Sequence, residues 1–100
     1  MIVIITDEAR ADLDRICNYI AFDNPHRAAS FVAELLDRCR GLADMPRAFP
    51  MVPRYEHTGV RRHTHGAYLI FYWISVESID VLHVLNGAQG YEAILFPKDV

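Results

Sequence analysis

Residues 67–74, Ala-Tyr-Leu-Ile-Phe-Tyr-Trp-Ile, form an unbroken apolar run in the second half of the chain. A strand sends alternate side chains to opposite faces of its sheet, so a run that is apolar throughout must be covered on both faces. The run is too short for a membrane-spanning helix, which needs about 18 or more apolar residues. It therefore predicts a strand in the middle of a sheet.

Shorter stretches on either side of this run predict its neighbouring strands. Residues 60–64 precede it and residues 79–87 follow it, separated from it by the turn-forming segments His-Gly and Ser-Val-Glu-Ser. Together the three predict an antiparallel meander. The β-branched residues 1–6 predict one more strand, and the apolar residues 91–97 predict a short strand or tail that packs back on the sheet.

Two amphipathic helices are predicted between the first strand and the meander. Apolar residues recur at helical spacing from Glu8 to Phe22 and again after Pro25, as far as Pro46. Asn24 suits the cap of the second helix and Pro25 its first position. The short connection makes the pair an antiparallel hairpin. The order β-α-α-β-β-β predicts an α+β fold, with this hairpin packed on a small antiparallel sheet.

The length of 100 residues predicts a single domain spanning residues 1–100. Cys17 and Cys39 are offset by about 12 Å along the predicted hairpin, too far for a disulfide, so both are expected to be small core residues. The first strand lacks the pattern of a signal peptide, and no membrane span is expected. These features favour a reducing, cytoplasmic setting.

Charge is unevenly distributed along the chain. The formal net charge is −3, yet residues 45–66, the basic segment, carry a net charge of +3. A nucleic-acid-binding domain is usually strongly basic overall, so direct binding to nucleic acid is not expected. Arg61 and Arg62 occupy adjacent strand positions and should point to opposite faces. They either contact a phosphate or carboxylate, or keep a solvated strand edge from pairing.

The histidines of the basic segment do not predict a metal site. His63 and His65 would share one face of a strand, with His57 nearby, but no Cys or acidic residue at ligand spacing completes the set. Glycine-rich phosphate loops and nucleophile motifs are also missing from the sequence. No cofactor is therefore expected.

Residues near the end of the last strand allow a catalytic hypothesis. A metal-free ribonuclease needs an acid, a base and cations that stabilise the phosphorane. His83 and Tyr91 could serve as the acid and base, and Arg61 as the cation. The sequence offers few other cations near the last strand, so such a site would be sparsely charged.

Several segments resemble one known family. The strings "GVRR…HGAYLIFY" and "VLHVLNGAQGYE", together with the helical text before them, resemble the RelE/ParE toxins of bacterial type II toxin–antitoxin systems, and most closely the ParE branch. The resemblance covers nearly the whole chain in order. It implies a helical hairpin on a small sheet, and a cognate antitoxin whose flexible segment wraps the toxin in a hetero-oligomer.

The two branches of this family imply different functions. ParE-like members poison DNA gyrase by protein contact, whereas RelE-like members cleave mRNA on the ribosome. Arg61 matches an Arg that both branches tend to carry, but the usual ending close to R-V-L-H-G-A-R-D is changed here at His83, Asn86, Gln89 and Gly90. These changes remove cations that a ribonuclease would use. The sequence therefore favours a non-catalytic, gyrase-inhibiting toxin, with a RelE-like ribonuclease or a non-toxic antitoxin-binding remnant as alternatives.

The residues expected to contact a partner or target lie on the loop, the strands and the final turn. They are Arg54, Arg61, Arg62, Tyr68, Tyr72, His83, Asn86, Gln89 and Tyr91. No catalytic residue is assigned for a gyrase inhibitor, whereas a ribonuclease would use Arg61, His83 and Tyr91. The basic segment is expected to receive an acidic or C-terminal stretch of the antitoxin, with an open sheet edge available for an added strand.

Overall fold

The computed structural model describes residues 1–98. In chain order the elements are β1 (Ile2–Ile5), α1 (Asp7–Ala21), α2 (Pro25–Gly41), a short 3-10 helix (Glu56–Thr58), β2 (Arg61–His65), β3 (Tyr68–Ile74), β4 (Ser78–Asn86) and α3 (Tyr91–Leu95). The α+β fold, with its helical hairpin on a small sheet, is confirmed. No helix in the described part of the chain is both long enough and apolar enough to cross a membrane.

Capping residues set where both long helices begin. The Thr6 hydroxyl accepts a hydrogen bond from the Ala9 amide at 3.2 Å and donates to the Val81 carbonyl at 2.7 Å. This side chain therefore caps α1 and also ties its first turn to β4. Asn24 caps α2 by accepting from the Arg27 amide, and Pro25 follows in the first turn, as predicted.

The sheet is mixed, with the strand order β1-β4-β3-β2. Strands β2, β3 and β4 form the predicted antiparallel meander, whereas β1 pairs with β4 in parallel. The parallel pairing follows from the path of the chain. After the helical hairpin and the two turns of the meander, β4 runs in the same direction as β1. Gly66 opens the two-residue β2–β3 turn with φ +59°, a conformation that glycine adopts readily.

The register of β3 and β4 shifts once, which changes the side-chain pattern of β4. Phe71 pairs with His83 and Tyr72 with Val81, so Leu82 is the extra residue of a β-bulge. As a result, Val81 and Val84 both pack against the helical side although they are three residues apart. His83, the residue after the bulge, contacts Asp12 of α1.

Hydrophobic clusters cover both faces of β3, as its continuous apolar run predicts. The cluster facing the helices includes Ile70 and Tyr72, together with Leu13 and Leu35 from the hairpin. The cluster on the opposite face contains Leu69, Phe71, Leu85, Val52, Val60 and Phe96. Cys39 is fully buried, whereas Cys17 is only partly buried, and both are free thiols.

The final apolar segment packs back on the sheet, as predicted, but it does so as a short helix and not as a strand. Both edges of β4 are already occupied by β1 and β3, so residues that follow β4 directly have no adjacent edge to join. The segment instead turns at Gly90 and forms α3. Phe96 then packs on the second face of the sheet, where its ring stacks on Tyr55 at 4.1 Å between centroids.

Candidate functional site

The Arg61 side chain binds the loop before β2 and does not point freely into solvent. Its pairing partner on β3 is Tyr72. Because Tyr72 belongs to the helix-facing cluster, Arg61 lies on that face. The Arg61 Nη1 donates to the Phe49 carbonyl at 2.8 Å and to the Arg47 carbonyl at 3.3 Å. The guanidinium therefore fastens residues 47–49 to the edge of the sheet.

The same loop also closes the first half of the β2 edge. Met51 forms an isolated antiparallel bridge with Arg61, and the Arg62 amide donates to the Pro50 carbonyl at 2.9 Å. The Val52 amide donates to the Val60 carbonyl at 3.0 Å. The open edge expected beside the basic segment is therefore already paired over its first residues.

Arg62 points to the other face of the sheet, as expected from its adjacent position. Its Nη1 donates to the Tyr91 hydroxyl at 3.0 Å, and the Tyr91 ring lies 5.0 Å from that of Phe71. Arg54 approaches Glu92 at 3.7 Å, but its side chain is largely exposed, so this ion pair adds little stability. The contacts of Tyr91 with Arg62 and Phe71 therefore hold α3 against the second face.

The two tyrosines of β3 have different environments. Tyr72 is fully buried, and its hydroxyl donates to the Pro46 carbonyl at 2.7 Å. Burial raises the pKa of Tyr72, which keeps the phenol neutral. A side chain without exposed surface cannot contact a partner, so Tyr72 is a core residue and not the contact residue predicted. Tyr68 is half-buried, with its ring 5.5 Å from Phe31.

His83 is held by a buried carboxylate on α1. Asp12 is 1% exposed, and its Oδ2 lies 2.7 Å from His83 Nδ1 and accepts from the Val84 amide at 2.9 Å. Asp12 Oδ1 accepts from the Arg15 guanidinium. A carboxylate that receives a backbone N–H and a guanidinium is an acceptor, so His83 Nδ1 carries the proton and donates.

This arrangement leaves the other nitrogen of His83 available. Within residues 1–98, His83 Nε2 makes no hydrogen bond, and no buried side-chain nitrogen or oxygen lacks a partner. Nε2 must therefore reach solvent. With Nδ1 protonated toward Asp12, the free Nε2 of neutral His83 is a hydrogen-bond acceptor.

Asn86 and Gln89 shape the turn that follows β4. The Gln89 Oε1 accepts from the Asn86 amide at 2.9 Å, and the Asn86 Oδ1 accepts from the Ala88 amide at 2.9 Å. In each side chain the amide oxygen therefore accepts a hydrogen bond from the backbone of the turn. Both residues line a pocket.

That pocket lies between α1, the end of β4 and α3, and has a volume of about 440 Å³. It brings together four of the predicted contact residues: Tyr68, His83, Asn86 and Gln89. The α1 residues Asp12, Arg15, Ile16 and Tyr19 complete its wall, with Ile94 from α3. Arg54, Arg61, Arg62 and Tyr91 lie outside it.

The contribution of α1 is the part that the sequence analysis missed. Arg15, Tyr19 and Phe22 are spaced i, i+4 and i+7, so they follow one face of α1 and its end. Tyr19 is 77% exposed and Phe22 is 91% exposed. Two signals were present in the sequence: large aromatic residues outside the buried stripe of α1, and an acid, Asp12, within that stripe.

The three residues of the ribonuclease hypothesis do not gather in one site. Arg61 contacts loop carbonyls on the helix-facing side, whereas Tyr91 packs on Phe71 on the opposite side. His83 is fixed to Asp12 at the α1 side of β4. The sheet itself therefore separates the proposed cation from the proposed tyrosine.

The remaining histidines of β2 take part in packing and pairing. His63 stacks on Phe49 with centroids 3.8 Å apart, and His65 Nε2 lies 2.9 Å from the Glu34 carboxylate. Burial, with Arg38 and His65 nearby, lowers the pKa of His63. No group of three potential metal ligands occurs among the residues that the structure describes.

A helical hairpin on one face of a four-stranded mixed sheet, with a pocket at the end of the last strand, defines a small α+β protein of the RelE/ParE-like fold. The model of the ParE toxin family, "ParE toxin of type II toxin-antitoxin system, parDE", matches residues 3–91. The chain therefore belongs to the ParE family of toxins of type II toxin–antitoxin systems.

Two solved structures have the same fold. A chain of the chromosomal ParDE system from P. aeruginosa is 22% identical, with a TM-score of 0.75, and the match covers 86% of this chain and 95% of that one. A chain of the RelBE2 toxin–antitoxin complex from Mycobacterium tuberculosis is 26% identical, with a TM-score of 0.64, and the match covers 88% and 92%. A comparison with curated proteins found no match.

Proposed function

We propose that residues 1–100 form a single toxin domain that acts in the cytoplasm by binding DNA gyrase, without breaking bonds itself. The observation that carries this proposal is that Arg61 and Tyr91 lie on opposite faces of the sheet, while His83 is bound to Asp12 of α1. A ribonuclease that uses these groups needs them around one phosphate. The family match supports a toxin of the ParE branch, the branch that the sequence resemblance links to gyrase.

The surface that best suits target binding is the α1–β4 surface, defined here as Arg15, Tyr19 and Phe22 with the adjoining pocket. Exposed Tyr, Trp and Arg side chains often contribute most of the energy of an interface. Tyr19 and Phe22 are aromatic and largely exposed, and Arg15 is also exposed. Tyr68, His83, Asn86 and Gln89 line the neighbouring pocket and are its candidate polar partners.

The antitoxin is proposed to engage the basic segment. Solved relatives include a toxin–antitoxin complex and a ParDE system, which supports an antitoxin partner and a hetero-oligomer for this chain. Arg47 and Arg54 are the exposed cations of the segment. An acidic or C-terminal stretch of the antitoxin would be steered there by charge, while apolar side chains would supply most of the affinity.

Supercoiling by purified gyrase tests the main proposal. We expect the toxin to inhibit it, and we expect the double variant Tyr19→Ala with Phe22→Ala to need at least about tenfold more protein, since truncated hot-spot residues each cost about 1–2 kcal/mol or more. Val76→Ala is the matched control, because Val76 is 94% exposed on the β3–β4 turn, outside this surface. Normal supercoiling at saturating toxin would contradict the proposal.

A RelE-like ribonuclease is the second candidate, and one observation favours it. Asp12 holds His83 with Nε2 facing solvent, which is how a general base is presented. This function predicts mRNA cleavage in a translating ribosome mixture that His83→Ala abolishes. Intact mRNA in that mixture would exclude the ribonuclease function. If overproducing the toxin without its antitoxin were harmless, the chain would instead be a remnant that only binds antitoxin.

A further inference from the structure

The sheet has two outer edges, and they differ in how they are protected. The β2 edge is covered by residues 50–52 over its first half, and it carries Arg61, Arg62, His63 and His65. Cationic side chains and a covering loop are devices that keep an edge strand from pairing with another chain. The β2 edge is therefore protected against self-association.

The β1 edge has neither cationic side chains nor a covering loop. Its sequence, Ile-Val-Ile-Ile, has no charged residue and no proline. Backbone hydrogen bonds of Ile2–Ile5 within the described chain run only to β4, so the outward amide and carbonyl groups are open. Ile2 is 65% exposed and Ile4 is 43% exposed, both on the face opposite the helices, whereas Val3 and Ile5 pack toward the helices.

We propose that this edge pairs with the β1 edge of a second copy of the chain, which joins two four-stranded sheets into one of eight strands. The inference does not depend on the proposed target. A two-fold axis perpendicular to the sheet makes the two β1 strands antiparallel and keeps both helical hairpins on one side. Residues directly opposite each other then share a face.

The exposure pattern selects one register for this pairing. If the axis passes through Val3, Ile2 of each copy lies opposite Ile4 of the other. The four exposed isoleucines then form one continuous apolar strip, Val3 lies opposite its own copy, and Ile5 lies opposite Met1. An axis through Ile4 would leave Ile2 beyond the partner strand. The Val3-centred register is therefore the one that removes both exposed side chains from water.

Charge is compatible with this dimer. Asp80 lies beside Ile4 in the sheet, and three strand spacings would separate the two copies of Asp80, roughly 14 Å or more. The two copies of Asp7, just beyond the strand ends, would lie about 26 Å apart along the strand direction. Both separations exceed the screening length of about 8 Å at physiological salt. Repulsion between the two copies of either acid therefore does not oppose the association.

Sedimentation velocity of the full chain over about 1 µM to 1 mM tests the proposal. Direct pairing of only Ile2–Ile4 from each β1 strand predicts a weak dimer in this range. We expect a concentration-dependent dimer whose dissociation constant rises at least tenfold in Ile4→Lys. Val76→Lys, which adds the same charge at an exposed apolar site on a turn, should leave it unchanged. A chain that stays monomeric at the highest concentration would overturn the proposal.

Cysteine crosslinking tests the register separately. A mixture of Ile2→Cys and Ile4→Cys chains should form disulfide-linked heterodimers under mild oxidation, and neither variant alone should crosslink comparably. Efficient crosslinking of one variant with itself would contradict the Val3-centred pairing. If the chain is monomeric but Ile4→Lys loses antitoxin binding, the edge takes an antitoxin strand, and self-pairing is again overturned.

Discussion

At the residue scale, the buried carboxylate of Asp12 links α1 to β4. It is buried in the apolar stripe of α1, yet all of its contacts are to donors: His83, the Val84 amide and Arg15. The Val84 amide lies just past the bulge in β4. One carboxylate therefore satisfies a buried backbone donor, orients an imidazole and joins α1 to β4.

Replacing Asp12 by Ala should lower the free energy of unfolding by about 3 kcal/mol, because a buried N–H and a buried hydrogen-bonded pair both lose their acceptor. Urea unfolding measures this. Asp14→Ala is the matched control, an exposed acid two positions along the same helix. Equal effects of the two substitutions would show that the buried carboxylate has no special role in stability.

At the element scale, two connections hold secondary elements to the sheet. The helix α3 has only five residues and no side-chain cap, so it depends on tertiary contacts. Those contacts are the Phe96–Tyr55 stack, the Arg62–Tyr91 hydrogen bond and the packing of Tyr91 on Phe71. The second connection joins α2 to β2 through Glu34, which contacts Arg27 and His65.

Phe96→Ala should destabilise the protein by about 2–3 kcal/mol and release α3, because the side chain is buried against the second face of the sheet. Amide hydrogen exchange of residues 91–95 measures the release, and urea unfolding measures the stability. Phe22→Ala removes the same side chain from a site that is exposed, and it should change neither. Unaltered exchange in Phe96→Ala would show that α3 is held by its other contacts.

Glu34 should make stability depend on acid pH. Hydrogen bonds from Arg27 and then His65 lower the pKa of Glu34 to about 2 from its usual 4.5. The folded state therefore binds this proton less readily than the unfolded chain does. The stabilisation is present above pH 4.5 and is lost as the pH falls toward 2. In Glu34→Gln the loss of stability between pH 4.5 and 2 that is due to this carboxyl group should disappear. Unfolding curves at several pH values measure this, and Asp37→Asn is the control.

At the scale of the whole molecule, an acidic chain carries one basic segment. The net charge of −3 disfavours general attraction to phosphate, whereas the exposed cations of the segment favour a local acidic partner. Two protein surfaces are separate from this segment: the α1–β4 surface and the bare β1 edge. The fold thus has room for an antitoxin, a target and a second copy at different places.

The double variant Arg47→Glu with Arg54→Glu should slow association with the cognate antitoxin by about tenfold or more at low salt and have a smaller effect on dissociation, since exposed charges act mainly on encounter. Stopped-flow or surface binding kinetics at two salt concentrations measure this. Arg40→Glu reverses an exposed charge on α2 and is the control. Association rates that are unchanged at low salt would mean that the basic segment does not guide this partner.

The sequence by itself determined the local elements, because each depended on neighbouring residues. The apolar run of β3 required cover on both faces, the stripes of α1 and α2 required a hairpin, and Asn24–Pro25 set the start of α2. Family likeness could also be read from the strings around β2, β3 and β4, and the family match confirms it. Four of the predicted contact residues do line one pocket.

Only the tertiary structure decided which side chains from distant segments meet. The parallel pairing of β1 and the bulge at Leu82 depend on how β4 lies between its two neighbouring strands, and the helical form of α3 follows because both edges of β4 are occupied. Burial of Tyr72, use of Arg61 by the loop and the bond between Asp12 and His83 join residues between 12 and 71 positions apart. Sequence patterns record what each residue needs from its neighbours, whereas these contacts depend on how the finished layers pack together.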